Sequence, residues 1–136
     1  MYLLDTDICS FLMKRTRPGL IERVKAFSPR DLKVSVVTLF ELEYGIQKSD
    51  RRDALRRVVD AFLNNVEILT WTESAAREAG AVRAELAAAG SPIGAYDLQI
   101  AGHARSLDAT LVTNNLREFT RVSGLRLADW VGGQEG

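Results

Sequence analysis

The chain reads as an α/β fold with a mainly parallel sheet of four to five strands, and three observations carry that reading. Short β-like runs alternate with longer helix-like ones along the whole length, which is the pattern of βαβ units. The 136 residues are near the commonest domain size, with no internal repeat and no long linker. Residues 1–131 are therefore expected to form one domain, and 132–136 a flexible tail. Apolar residues make up 46% and charged residues 26%, an ordinary globular mixture that argues against extended disorder.

The elements follow in order. Tyr2-Leu3-Leu4 is the first strand, and Thr6 or Asp7 caps a short helix that runs to about Lys14. Pro18 stands at the start of a helix whose apolar stripe is Leu20, Ile21, Val24 and Phe27, ending before Ser28-Pro29. Leu32 to Val37 is the second strand. Thr38 to Gln47 is helical, and Asp50 to about Leu63 is a basic helix. Val66 to Leu69 is the third strand, and Thr72 caps an Ala-rich helix that ends at Gly90. After the turn Ser91-Pro92-Ile93-Gly94, Ala95 to Leu107 is helical and Thr110-Leu111-Val112 is the fourth strand. Asn114-Asn115 opens a loop with a helical turn through Phe119, and Leu125-Arg126-Leu127 is a last edge strand.

Composition excludes several classes of function. The formal net charge is zero, so there is no global electrostatic case for nucleic-acid binding. Of the 18 basic residues 14 are Arg, the side chain suited to forked contacts with phosphate or carboxylate. With one cysteine, Cys9, no intramolecular disulfide can form, and with no signal segment a cytoplasmic location is expected. No stretch approaches the roughly 20 apolar residues that cross a bilayer. A Cys–His hydrolase is disfavoured because His103 is the only histidine, so Cys9 is expected to be a packing residue. His103 itself is expected at a surface or an interface.

Three acids stand where acids are least expected. Asp5 closes the first apolar run, with Asp7 two residues on. Glu41 and Asp97 each sit on or beside the apolar stripe of a predicted helix. In open α/β sheets, sites lie beyond the carboxyl ends of the strands, and Asp5, Glu41, Asn114 and Asn115 all follow a strand there. Each acid also has a structural reading. Asp5 is a possible helix cap, although Thr6 and Asp7 can do that work. Glu41 with Thr38 fits a capping box. Asp97 lies in a first helical turn, where the macrodipole favours an acid, yet it shares a stripe with Ile100, Ala101 and Ala104, where an unpaired carboxylate is costly. Gly45, one turn beyond Glu41, costs its helix roughly 1 kcal/mol relative to Ala and so suggests a close approach there. Glu43 is expected to be solvated.

Acids without His or Cys favour a hard cation, Mg²⁺ or Mn²⁺, over zinc, and such ions suit phosphate chemistry. Asp5, Glu41 and Asp97 are the candidate catalytic and metal-binding residues, with Asn115 or Glu118 as a possible fourth ligand. Thr6, Asp7 and Thr113 are candidate supporting groups. Arg15, Arg17, Arg117 and Arg121, with the basic helix of Arg51, Arg52, Arg56 and Arg57, are candidates for contacting a phosphate backbone.

Taken together, Leu4-Asp5-Thr6-Asp7, Glu41-Leu42-Glu43-Tyr44-Gly45, Ile93-Gly94-Ala95-Tyr96-Asp97-Leu98-Gln99-Ile100-Ala101, and Leu111-Val112-Thr113-Asn114-Asn115 with Arg117-Glu118-Phe119 resemble the PIN-domain family. Within it they resemble the VapC toxins of bacterial VapBC toxin–antitoxin systems. The resemblance runs to Trp130. It implies an α/β/α sandwich, a Mg²⁺- or Mn²⁺-dependent endoribonuclease, a homodimer and a VapB-type antitoxin partner. It also implies that Asp5, Glu41 and Asp97 are the catalytic acids. Many members carry a fourth acid shortly after the last-strand Thr, where this chain has Asn115, and an Asn where it has Asp7. The Thr-Asn-Asn form resembles a branch that cuts initiator tRNA. A housekeeping RNA-processing nuclease and a non-catalytic RNA- or protein-binding module are the alternatives.

Overall fold

The computed structural model describes residues 1–132, 134 and 135. Its elements are β1 (Tyr2–Leu4), α1 (Thr6–Lys14), α2 (Pro18–Lys25), a 3₁₀ turn (Pro29–Asp31), β2 (Leu32–Ser35), α3 (Val36–Lys48) and α4 (Arg52–Leu63). These are followed by β3 (Glu67–Leu69), α5 (Glu73–Ala88), α6 (Ala95–Ser106), β4 (Thr110–Val112), α7 (Leu116–Phe119), β5 (Arg126–Asp129) and β6 (Gln134–Glu135). The sheet order is β3-β2-β1-β4-β5-β6. The first five strands are parallel, and β6 pairs antiparallel with β5. No described helix is long and apolar enough to cross a membrane.

Alternation along β1 divides the molecule into layers. Leu3 faces one way, into a core with Val82 and Leu86 of α5, Ile100, Ala101 and Ala104 of α6, and Phe119 of α7. Leu4 faces the other way, with Val34 and Val112, into a core closed by Ile8 and Cys9 of α1, Leu20 of α2 and Trp130. Trp130 stacks on Phe27 at 4.6 Å between ring centroids. The result is helix, sheet, helix, with β1 central.

Register places the site. Leu4 lies opposite Val34 on one side and Val112 on the other. The residues that follow, Asp5, Ser35 and Thr113, therefore leave the sheet at one level. From β1 the chain steps outward to β2 and β3, then crosses back to β4 on the other side of β1. The crevice between β1 and β4 is thus the switch point at which such sheets hold their sites.

The structure corrects the sequence reading at several boundaries. The second strand ends at Ser35 and its helix begins at Val36, two residues earlier than expected. The Ser35 Oγ accepts the Val37 N–H at 3.1 Å, and this cap outweighs the β-propensity of Val36-Val37. The last strand is shifted to Arg126–Asp129 by its pairing with β4. Of the expected flexible tail, Gln134 and Glu135 pair with β5, while residues 133 and 136 lie outside the described residues. The crowding expected at Gly45 is absent, since a Cβ there would meet nothing within 4 Å. It occurs at Gly102 instead, where a Cβ would lie 2.5 Å from the Ala79 Cα. Glycine there is what lets α6 press against the main chain of α5.

Gly102→Ala is accordingly expected to lower stability by about 1–3 kcal/mol, because the obstructing atoms are backbone. Gly45→Ala is expected to raise it by up to ~1 kcal/mol through helix propensity. Urea denaturation of the two variants checks the pair, and equal effects would refute the packing argument.

Candidate active site

Asp5 is the acid most enclosed by the fold. It caps α1 itself, its Oδ1 accepting the Ile8 N–H at 2.8 Å, so the cap expected from Thr6 or Asp7 is not theirs. Its main-chain N–H donates to the Val112 carbonyl at 3.1 Å, which holds it against β4. The Thr113 hydroxyl also hydrogen-bonds to the carboxylate. Asp5 is 3% exposed. Burial pushes its pKa up to about 6, against the two hydrogen bonds and with help from the charges of Asp7 and Glu41. Asp7 is exposed in the first turn of α1.

Glu41 lies well inside α3, too far from the Ser35 cap for the expected capping box. With that role gone, its side chain is held from another element. The Thr6 hydroxyl donates to Glu41 Oε1 at 2.7 Å, and the Thr38 hydroxyl lies 3.1 Å from Thr6 Oγ1. Thr38 is fully buried. Sequence reasoning treated it as a cap and missed this role, although its position three residues before Glu41 puts both on one helix face. Glu43 is solvated, as expected, with 40% of its side chain exposed, and also takes a forked pair of bonds from Arg56 at 2.6 and 2.8 Å. That removes Arg56 from the candidate phosphate contacts. Arg51, Arg52 and Arg57 remain exposed on α4.

Asp97 is the third residue of α6 and half-buried. It hydrogen-bonds with Glu118 on α7. A bond between two carboxyl groups needs one proton, which the pair shares. The Asp97 pKa is pushed up to about 7 by burial first, then by that bond and by the charges of Glu118, Asp5 and Glu41. Asn115 Nδ2 donates to Glu118 Oε2 at 3.1 Å, and the Asn115 N–H donates to Thr113 Oγ1 at 2.9 Å. Of the two alternatives for the fourth position, the structure brings Glu118 against Asp97 and turns the Asn115 amide toward Glu118.

Asp5, Glu41, Asp97 and Glu118 therefore share one field at the switch point. Among the described residues no Lys or Arg forms an ion pair with any of them. Nor do any three Asp, Glu, His or Cys residues close tightly enough to hold an ion directly. The acids influence one another without closing into a cage. All-oxygen donors, repelling one another without a cation, fit a hard ion such as Mg²⁺ that keeps several of its waters.

The candidate arginines divide into two groups. Arg117 is exposed on α7 beside Glu118, and Arg121 donates to the Pro92 carbonyl at 3.1 Å, next to the turn that leads into α6. Arg15 closes the far end of α1, about 15 Å from Asp5 at 1.5 Å per residue, and Arg17 lies over the Phe11 ring. The structure does not bring those two to the acids. Phe40 and Tyr96, each adjacent in sequence to an acid, are exposed and meet edge to face at 5.2 Å.

His103, expected at a surface, is 1% exposed. Its Nδ1 lies 2.8 Å from Ser35 Oγ, and burial lowers its pKa. The signal was available in Ile100-Ala101-Gly102-His103-Ala104, where small and apolar residues surround it. Cys9 is buried, as its packing role requires, and burial raises its thiol pKa far from that of a nucleophile.

The PIN domain family model matches residues 2–125. The chain is 43% identical over 129 residues to the tRNA(fMet)-specific endonuclease VapC of Shigella flexneri, covering 95% of this chain and 97% of that one. It is 39% identical over 130 residues to Ribonuclease VapC2 of Haemophilus influenzae strain Rd, covering 96% and 98%. The crystal structure of DNA-bound VapBC from Salmonella typhimurium superposes with a TM-score of 0.90 at 43% identity, over 95% of this chain and 97% of that one. VapBC2 from Rickettsia felis, bound to promoter DNA, gives 0.88 at 34% identity, over 93% and 96%.

Asp5 and Asp97 hold their protons more tightly folded than unfolded. Between about pH 4 and pH 7 the folded chain therefore binds more protons, and these groups lower its stability as pH rises. In chelator, Asp97→Asn should gain stability relative to wild type across that window and level off above it. Denaturation curves at stepped pH measure the difference, and a constant offset would rule out the raised pKa.

Proposed function

This chain belongs to the PIN-domain family, in its VapC group, and from that premise we propose that it is the ribonuclease toxin of a VapBC toxin–antitoxin pair. The observation that carries the reading is the convergence of four acids at the switch point, where Glu118, Asp5 and Glu41 all act on Asp97. Asp5, Glu41 and Asp97, with Glu118 as the fourth, would hold Mg²⁺ or Mn²⁺, partly through water. When bound, the ion supplies an acidified water as nucleophile and stabilises the charge that develops on the phosphoryl group.

The chain's own residues do the rest. Thr113 and the Ile8 N–H fix the Asp5 carboxylate, Thr6 fixes Glu41, and Asn115 fixes Glu118. Asp97 and Glu118, joined by a hydrogen bond, would both be available to hold the ion once their shared proton is lost to solvent. Arg117 and Arg121, on the α7 side, are placed to receive phosphates that flank the scissile bond. Unpaired RNA is the substrate class, because a splayed backbone enters an acid-lined crevice more readily than a duplex does. Initiator tRNA is the specific candidate, on the strength of the Shigella relative's name. The products carry 5′-phosphate and 3′-hydroxyl ends. A VapB-type antitoxin, a homodimeric state and a cytoplasmic location complete the reading.

Asp97→Asn should abolish Mg²⁺-dependent RNA cleavage, by at least about 100-fold, while the chain remains folded. Retained cleavage would overturn the assignment. Independently of activity, Mn²⁺ should raise the melting midpoint of the wild type. At a hundred times its dissociation constant the gain is about 2.7 kcal/mol. A midpoint unmoved by Mn²⁺ at any concentration would rule out a metal site.

A further inference from the structure

The two helices that present Glu41 and Asp97, α3 and α6, touch each other sparingly, since α6 packs chiefly on α5. On the solvent side they meet through the exposed Phe40–Tyr96 pair. On the buried side they are joined by one polar link, His103 Nδ1 to Ser35 Oγ at 2.8 Å. Both residues are buried, Ser35 fully and His103 to 1% exposure.

The chemistry of the link is directional. A neutral imidazole donates through one nitrogen and accepts through the other. The His103 ring also bonds to the Thr70 main chain, in a sense that favours the ring N–H. With the ring N–H on the other nitrogen, Nδ1 accepts the Ser35 hydroxyl. The same Ser35 oxygen accepts the Val37 N–H at 3.1 Å and caps α3. One hydroxyl thus both starts the helix that carries Thr38 and Glu41 and ties it to the helix that carries Asp97. The ring touches none of the four acids and is not part of their chemistry.

We propose that His103 is a positioning residue for the carboxylate site, its Nδ1 holding Ser35 so that Glu41 on α3 keeps its spacing from Asp97 on α6. Burial lowers the imidazole pKa, which keeps the ring in the accepting form. The inference rests on the proposed nuclease reading and deepens it by naming a residue that acts on the site through another.

The test uses the whole chain and two substitutions of similar size. His103→Asn sets an amide oxygen close to the Nδ1 position and retains the Ser35 bond. His103→Gln sets its amide nearer the other ring nitrogen and loses that bond. His103→Gln is expected to lower kcat for RNA cleavage about 10- to 100-fold with KM little changed, as a displacement on the scale of 1 Å does. It should weaken Mn²⁺ binding by titration in parallel. His103→Asn should restore both to within a few-fold of wild type. Ser35→Ala should reproduce the His103→Gln loss, and the double variant should be no worse than the poorer single one. If His103→Gln does not fold, Ser35→Ala alone decides, by loss or retention of kcat and Mn²⁺ affinity. Losses that track melting temperature equally in His103→Asn and His103→Gln would overturn the proposal, as would additive losses in the double variant. Asp97→Asn serves as the control. If it still cleaves, the nuclease reading fails. If it is inactive while His103→Gln keeps wild-type kcat and Mn²⁺ affinity, the reading stands and the positioning role falls.

Discussion

The burial of one carboxylate at the end of the central strand constrains everything around it. Asp5 cannot move outward, because its main chain is bonded to β4 and its side chain caps α1. It cannot be neutralised from within, because among the described residues no cation pairs with it. Raising a carboxyl pKa to about 6 corresponds to a penalty on the order of 3 kcal/mol against the charged form. The apolar layers on both faces of β1 sustain that penalty.

The way the acids are held follows from this constraint. Asp5 is held by Thr113, Glu41 by Thr6 with Thr38 behind it, and Glu118 by the Asn115 amide. Every one of these partners is neutral. A Lys or Arg in the same place would fix the geometry equally well and would cancel the field. Hydroxyls and an amide set direction and leave the negative charge in place. The forked Arg56–Glu43 bonds on the same helix show the contrast, since that acid is paired and its pKa is lowered to about 2.

The fold was legible because its signals are local. Strand-helix alternation, the Pro18 start, the Thr72 cap and the Gly90 turn at φ 67° all act within a few residues. The candidate acids were visible for a related reason, since a carboxylate on an apolar stripe contradicts its own neighbourhood. What could not be read depends on which elements meet. Thr38 looked like a cap for Glu41 until Ser35 took the cap and freed it to stand behind Thr6. Glu118 ranked low because nothing local says that α7 faces the start of α6. Gly45 and Gly102 are alike as glycines inside helices, and only the approach of Ala79 tells them apart. His103 differs, since its apolar neighbours signalled burial locally, and only its partner Ser35 had to come from another element.

The charge balance then bears on the order of events at the site. With a net charge of zero the chain exerts no long-range attraction on RNA, and four clustered acids repel phosphate at short range. One exposed arginine on α7, Arg117, does not balance four acids. Under the proposed function, a divalent cation is therefore a condition of substrate binding as well as of hydrolysis. Asp5, Glu41, Asp97 and Glu118 would hold that cation, and its charge would offset the repulsion that the acids exert on phosphate. The raised pKa values of Asp5 and Asp97 come from burial and from the neighbouring acids, the same two terms that a bound cation would offset.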